Sequence, residues 1–459
     1  MGRCSFGRRL KSISGRTGSA VRNQDCPRCA GLPLSKPFRL TRSGTDMTPP
    51  LAQTTFSRNA PQDRGPLAGV RILDMATVVA GPFSATLCGD MGAEVVKLEL
   101  PDGSDPLRSL APVKDDVPLY WKVTNRGKRG ITLDVRTEAG RELFLRMLGE
   151  FDVLVENFRT GTLARWGLDL ATLHAANPRL IVLRLTGFGQ TGPYAARPGF
   201  ARIFEAMSGL TNLAGTEESG PMHMNFPIGD MIAGLFGAFA ISTAIAERRA
   251  NPELRGREID LAATEALFRL LEPLAVEHEQ LGVVRQRAGN RATYTAPSNM
   301  YRTADGVWMT LVASSDATFR RLAEAMDQPQ LPLSPDFAVN AARIRNLERL
   351  DALIAAWFAA RDADAVSAAL ERCDVPFSKV FTIADVMADA QMQARSAVIR
   401  MPDPDVGSVP APCVVPRFGG YQPPAPRTGP ATGEHNDEFY TELGLGKDDL
   451  ARLARDGVI

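Results

Sequence analysis

The sequence predicts an α/β protein built on a parallel, Rossmann-like sheet, and three observations carry that prediction. From Gly69 onward short apolar runs alternate with segments of helical periodicity, the pattern of strands joined by helical crossovers. The chain has 459 residues, 44% of them hydrophobic, enough for two or three domains with ample core. No Gly-x-Gly-x-x-Gly follows the first strand, so neither a nicotinamide dinucleotide nor a flavin is expected.

The elements follow in order. Val70–Asp74 reads as a buried strand. Pro82–Asp90 reads as a helix that starts at a proline, where a missing N–H costs nothing. Ala93–Leu98 is the next strand, Arg136–Phe151 an amphipathic helix, and Val153–Val155 and Leu180–Leu185 two further strands. Met231–Ile245 is a long apolar stretch that ends in Glu247-Arg248-Arg249, and reads as a buried core helix with Asp230 at its N-cap. After Asp260 the character shifts. Leu261–Leu281 reads as helix, broken at Pro273. Residues 283–330 hold short strands such as Gly306–Val312, and Arg343–Ala360 and Ala363–Cys373 are helical. Pro402–Pro430 is rich in Pro and Gly and predicts an extended, surface-wrapping linker, and Thr441–Val458 returns to helix. There is no internal repeat.

A net charge of +1 argues against binding nucleic acid or a membrane surface. Six sparse cysteines fit a reducing compartment, so a cytoplasmic location is expected. Residues 1–64 differ from the rest, being basic, acid-poor and without periodicity. They read as a disordered or targeting extension, and residues 1–46 as a mitochondrial transit peptide would place the protein in the matrix. A true start at Met47 is the other reading. Cys26-Pro-Arg-Cys29 has metal or redox spacing but no second Cys/His pair nearby. His174, His223, His278 and His435 are scattered without ligand spacing, so no metal is expected.

Asp230 is the candidate for chemistry. A carboxylate at a helix N-cap accepts bonds from free N–H groups and faces the positive end of the dipole, which favours the ionised form that a nucleophile needs. Local sequence alone favours a plain cap, because helix caps far outnumber nucleophiles. The wider pattern resembles a family III CoA-transferase. It is carried by Gly69-Val-Arg-Ile-Leu-Asp74 with Ala80-Gly81-Pro82, by Gly92-Ala-Glu-Val-Val-Lys-Leu-Glu99, and by Asn125-Arg-Gly-Lys-Arg129 with Leu133-Asp134. Asp152–Phe158, Gly187-Phe-Gly-Gln-Thr-Gly-Pro193, Arg255-Gly256-Arg257 with Asp260, Asp305-Gly306 and Gly433-Glu-His-Asn436 complete an ordered set from about residue 66 to the end.

The resemblance implies a large Rossmann-like domain made from residues 65–260 and 385–459, linker helices with a smaller α+β domain over 261–384, and two protomers interlocked as a homodimer. It places the nucleophile on Asp230, acting through aspartyl anhydride and thioester intermediates on an acyl-CoA and a carboxylic acid. The CoA contacts fall by position on Val78, Ala80, Leu133, Arg136, Asn157, Phe158, Arg165 and Trp166. Arg108, Arg126, Lys128 and Arg129 are further candidates for phosphate. The substrate pocket takes in Val79, Phe200, Glu205, His223 and Gly229, with backbone N–H groups near Gly229 and Asp230 as oxyanion donors. Ala201 stands where the family often carries an acid, and Phe200-Ala201 where related racemases hold a His-Asp pair. Asp230 is therefore expected to act without a carboxylate partner, which favours transfer over racemisation. A racemase or isomerase of the same fold, and a non-catalytic subunit of a heteromeric transferase, are the alternatives.

Overall fold

Six short strands form one sheet, four of them from apolar runs: β1 Arg71–Asp74, β2 Glu94–Glu99, β3 Arg129–Thr132, β4 Val153–Glu156, β5 Ile181–Thr186 and β6 Glu258–Ala262. The computed structural model describes residues 65–423 and 426–459. The expectations for the N-terminal extension, for Cys26 and Cys29 and for a start at Met47 lie outside the described residues. Every strand pairing in this sheet is parallel, in the order β6-β5-β4-β1-β2-β3. That is the doubly wound dinucleotide-fold order, whose strand sequence reverses between β1 and β4.

Alternating side chains feed two cores, as a strand's period of two requires. Leu73, Val96, Leu98, Ile131, Leu154 and Val182 point into one. Ile72, Val95, Val153, Val155, Ile181 and Leu183 point into the other. The second face is covered by α1, Ala80–Asp90, through Ala85 and Cys88. A 23-residue helix, Ile228–Ala250, covers it further through Ala238, Ile241, Ala244 and Ile245. The first face is covered by helix Glu138–Met147 and by the chain's end, where Phe439, Tyr440, Leu450 and Val458 join Leu73 in one core. A third core, spanning Ala296 to Val375, belongs to a three-stranded antiparallel sheet and the helices Asp316–Ala325, Leu347–Ala359 and Ala363–Arg372.

Several sequence expectations are corrected. Leu261 and Ala262 extend strand β6, and helix begins only at Ala263. The break falls at Leu270–Leu271, and Pro273 sits in the first turn of the next helix, Glu272–Leu281. Pro402–Pro430 is not a plain linker, because its first residues complete a hairpin of Val398–Asp403 and Gly407–Pro412. The segment behind it laces back onto the sheet: Gly127 N–H donates to Arg427 O at 2.8 Å, and Trp121 Nε1 donates to Pro430 O at 2.8 Å. The Ile228–Ala250 helix is not buried all round, since Leu235 and Phe239 are 58% and 67% exposed. Strand β3 was not legible, because Arg129-Gly130 breaks an apolar run that is only two residues long.

Candidate active site

The loops that leave β1 and β4 meet at the strand-order reversal, the place where open α/β sheets bind ligands. Asn157, just beyond β4, locks onto the β1 loop twice: its Oδ1 accepts from Thr77 N–H at 2.8 Å and its Nδ2 donates to Thr77 O at 2.7 Å. Val78 follows with φ of 64°, a left-handed conformation that a β-branched residue adopts only under constraint. The constraint on its other side is Asp105, whose Oδ1 accepts the Val78 N–H at 3.0 Å. Val79 then caps α1, which begins at Ala80. Phe158 stacks edge-on against Trp166, with centroids 5.1 Å apart. Leu133 and Arg136 lie just past the end of β3, so these candidates all gather at the carboxyl edge of the sheet. Arg165 bonds Thr162 Oγ1 at 2.9 Å and is exposed.

The basic candidates have partners within the fold. Arg108 grips Glu99 with two bonds of 2.8 and 2.7 Å and lies 3.6 Å over the Trp121 ring. Arg126 pairs with Asp90, and Lys128 donates to Asp74, Pro82 O and Asn125 at 2.7–2.8 Å, with both side chains buried. Burial pulls the Lys128 ammonium down to about 8. Arg129 is shared among Glu94, Glu438 and Glu442, and Arg136 pairs with Asp134.

Asp230 is not the N-cap of its helix. Pro227 holds that position and its side chain accepts nothing, so Asp230 falls at the third helical residue. The capping task passes to Glu205, on α2, Ala201–Met207. Its Oε1 accepts the Gly229 N–H at 3.0 Å, so that donor is already engaged and is not available to an oxyanion. Glu205 is 2% exposed, and its Oε2 stands 3.1 Å from His223 Nδ1. Gly229 packs closely there: a Cβ would lie 3.1 Å from both Ala201 O and Glu205 Oε1, tighter than an ordinary contact.

The expectation of a favoured charge on Asp230 is also overturned. Burial first, and the Glu205 carboxylate second, push Asp230 up to about 6. Nor is Asp230 isolated from other carboxylates: Glu205 supplies the neighbour that Ala201 does not. Met231 beside it packs with Val78, Val79, Leu107, Tyr120 and Trp121 into an apolar wall. Tyr120, absent from the sequence candidates, belongs to the site: burial and then the Asp230 charge push its hydroxyl up to about 12. Nothing in Leu119-Tyr120-Trp121 marks it, since an aromatic pair reads simply as core. Phe200 caps α2 but is 73% exposed. Among the described residues no group of three or more His, Cys, Asp or Glu could hold a metal.

The site combines a desolvated carboxylate, a second carboxylate tied to an imidazole, and an apolar wall beside a ligand-binding strand crossing. Comparison with known proteins agrees with that chemistry. The family model described as CoA-transferase family III matches residues 67–436. The chain is 40% identical over 396 residues to a succinyl-CoA–D-citramalate CoA-transferase of Chloroflexus aurantiacus, covering 86% of this chain and 98% of the relative. It is 35% identical over 412 residues to the alpha subunit of a succinyl-CoA–L-malate CoA-transferase from the same organism, covering 88% and 95%. Among solved structures, a CAIB/BAIF family protein from Brucella suis superposes with a TM-score of 0.73 at 33% identity, covering 83% of this chain and all of that one.

Proposed function

The chain belongs to CoA-transferase family III and moves CoA between carboxylic acids, and from that premise we propose that Asp230 is the nucleophile of the transfer. One observation carries the proposal. Glu205 takes over the cap, which leaves the Asp230 carboxylate desolvated and without a hydrogen bond among the described residues.

An Asp230 oxygen attacks the acyl carbon of the thioester, the C–S bond breaks, and CoA leaves as thiolate. The thiolate then attacks the Asp230 carbonyl carbon of the resulting anhydride, which releases the donor carboxylate and leaves an aspartyl–CoA thioester. The acceptor carboxylate attacks that thioester to give a second anhydride and free thiolate. Attack of the thiolate on the acceptor's acyl carbon forms the new acyl-CoA and returns Asp230 as carboxylate. The apolar wall keeps water from the anhydrides. A carboxylate whose proton leaves at about pH 6 is more basic than an ordinary one, and ionised at neutral pH.

The relatives named above act on succinyl-CoA with citramalate or malate, which supports dicarboxylic acids as the substrate class here. Both are transferases, which favours transfer over racemisation. The exposed apolar stripe of Leu235 and Phe239 supports burial against a second copy, as an interlocked homodimer requires. CoA binds along the carboxyl edge through the Thr77–Ala80 and Asn157–Phe158 loops. Asp230→Asn is the test: exchange of CoA between succinyl-CoA and labelled succinate is expected to fall by at least a thousandfold while CoA still binds. Full turnover by the variant contradicts the proposal.

A further inference from the structure

We propose that His223 binds the second carboxylate of the dicarboxylic substrate and so sets the enzyme's preference for diacids. The proposal rests on the reading of the substrates as dicarboxylic acids. A diacid whose reacting carbon lies at Asp230 brings its second, free carboxylate into a site that already holds the Glu205 carboxylate. Without a cation that charge is repelled.

His223 stands where that cation is needed. Its Nδ1 lies 3.1 Å from Glu205 Oε2, while the other Glu205 oxygen holds the amide of Gly229, so one carboxylate joins His223 to the residue that precedes Asp230. Thr211 Oγ1 stands 3.5 Å from the same nitrogen. Both contacts fall on Nδ1 and fix the ring, and Nε2 has no partner among the described residues. The side chain is 29% exposed, accessible to a substrate but not lost in solvent. With Nδ1 turned to Glu205 and Thr211, Nε2 is the ring's free polar atom, and a charged donor whenever the ring carries both protons. The half-buried Val78 and Met231 of the apolar cluster beside Asp230 suit the methylenes between the two carboxyls.

Several other arginines are engaged within the fold. Arg108 is held by Glu99, Arg285 by Glu277, and Arg197 lies over the Tyr194 ring at 4.5 Å. Arg287 is the competitor: its Nη2 makes only a 3.4 Å contact with Asn212 Oδ1.

The test measures kcat and KM for succinate and for butyrate as acceptors, with succinyl-CoA saturating, in the wild type, His223→Gln, His223→Lys and Arg287→Gln. Loss of a charged hydrogen bond predicts that His223→Gln lowers the succinate-to-butyrate ratio of kcat/KM by at least tenfold, chiefly through the KM for succinate. His223→Lys, which restores a cation, is expected to recover part of the ratio, which a misfolded site would not do. A ratio that survives His223→Gln, or one that collapses in Arg287→Gln instead, overturns the proposal. A wild type with no preference for succinate over butyrate would refute the diacid reading itself, and the assignment of His223 with it; Asp230 as nucleophile would stand apart from that result.

Discussion

The chemistry proposed for Asp230 rests on what its neighbours take away. Pro227 leaves no side-chain cap, Glu205 supplies one from another helix, and Asp230 is left desolvated beside a second carboxylate. With Asp230 as the proposed nucleophile the ionised form reacts, so kcat/KM for the acyl-CoA should fall below about pH 6, and a pH–rate profile reads this directly. Glu205→Gln keeps an oxygen for the Gly229 amide but removes the charge, so the acid limb should move to lower pH. A limb that stays in place would show that Glu205 does not act on Asp230. The same shift has a cost in stability. A carboxyl raised in the folded state binds its proton more tightly there than in the unfolded chain. Stability is therefore fully present below the ordinary carboxylate range and is lost as pH rises to about 6. Asp230→Asn should then be the more stable protein at pH 7, by on the order of 3 kcal/mol, and the gain should vanish in acid, as denaturant melts at the two pH values would show. The residue Asp230 was legible in the sequence from the motif around it. Glu205 and His223 were legible only as pocket candidates through the resemblance. That Glu205 holds the Gly229 amide and faces His223 was not, because they meet only through the fold, 25 and 7 residues back along the chain from Asp230.

At the scale of elements, the site depends on how closely α1 and the Ile228–Ala250 helix approach. A Cβ on Gly234 would lie 2.8 Å from the Ala80 carbonyl oxygen, a backbone atom that cannot step aside. Gly234→Ala should cost about 1–3 kcal/mol in chemical denaturation and also lower activity, since it pushes apart the helix starts that carry Ala80 and Asp230. An unchanged midpoint would mean that the helices pack less tightly than described. The long, strongly patterned elements were readable: β1, β2, β4, β5, α1 and the Asp230 helix all follow from apolar periodicity. Those missed have physical reasons. Strand β3 offers only Ile131 and Thr132 after Arg129-Gly130, and β6 alternates Glu258 and Asp260 with Ile259 and Leu261 at a sheet edge. Asp260 there accepts from the Gln190 N–H, so two motifs far apart in sequence prove to be one contact.

At the scale of the whole molecule, the chain's end closes what its beginning opens. Asn436 Oδ1 accepts the Thr132 N–H at 2.9 Å and its Nδ2 donates to Thr132 Oγ1 at 2.8 Å, while His435 Nδ1 accepts the Gly130 N–H at 3.1 Å. These bonds occupy the free edge of β3, which would otherwise be open to pairing with another chain. The Gly433-Glu-His-Asn436 motif thus serves as an edge seal. Asn436→Ala leaves the Thr132 amide without its partner, and should destabilise the protein by about 1–3 kcal/mol with the nucleophile intact. The experiment that bears most directly on the central claim is to trap the enzyme with hydroxylamine after mixing with succinyl-CoA in the absence of an acceptor, and to map the modified peptide by mass spectrometry. The account predicts a hydroxamate on Asp230, dependent on the acyl-CoA. A hydroxamate on Glu205 or another residue, or none with a turning-over enzyme, would contradict it.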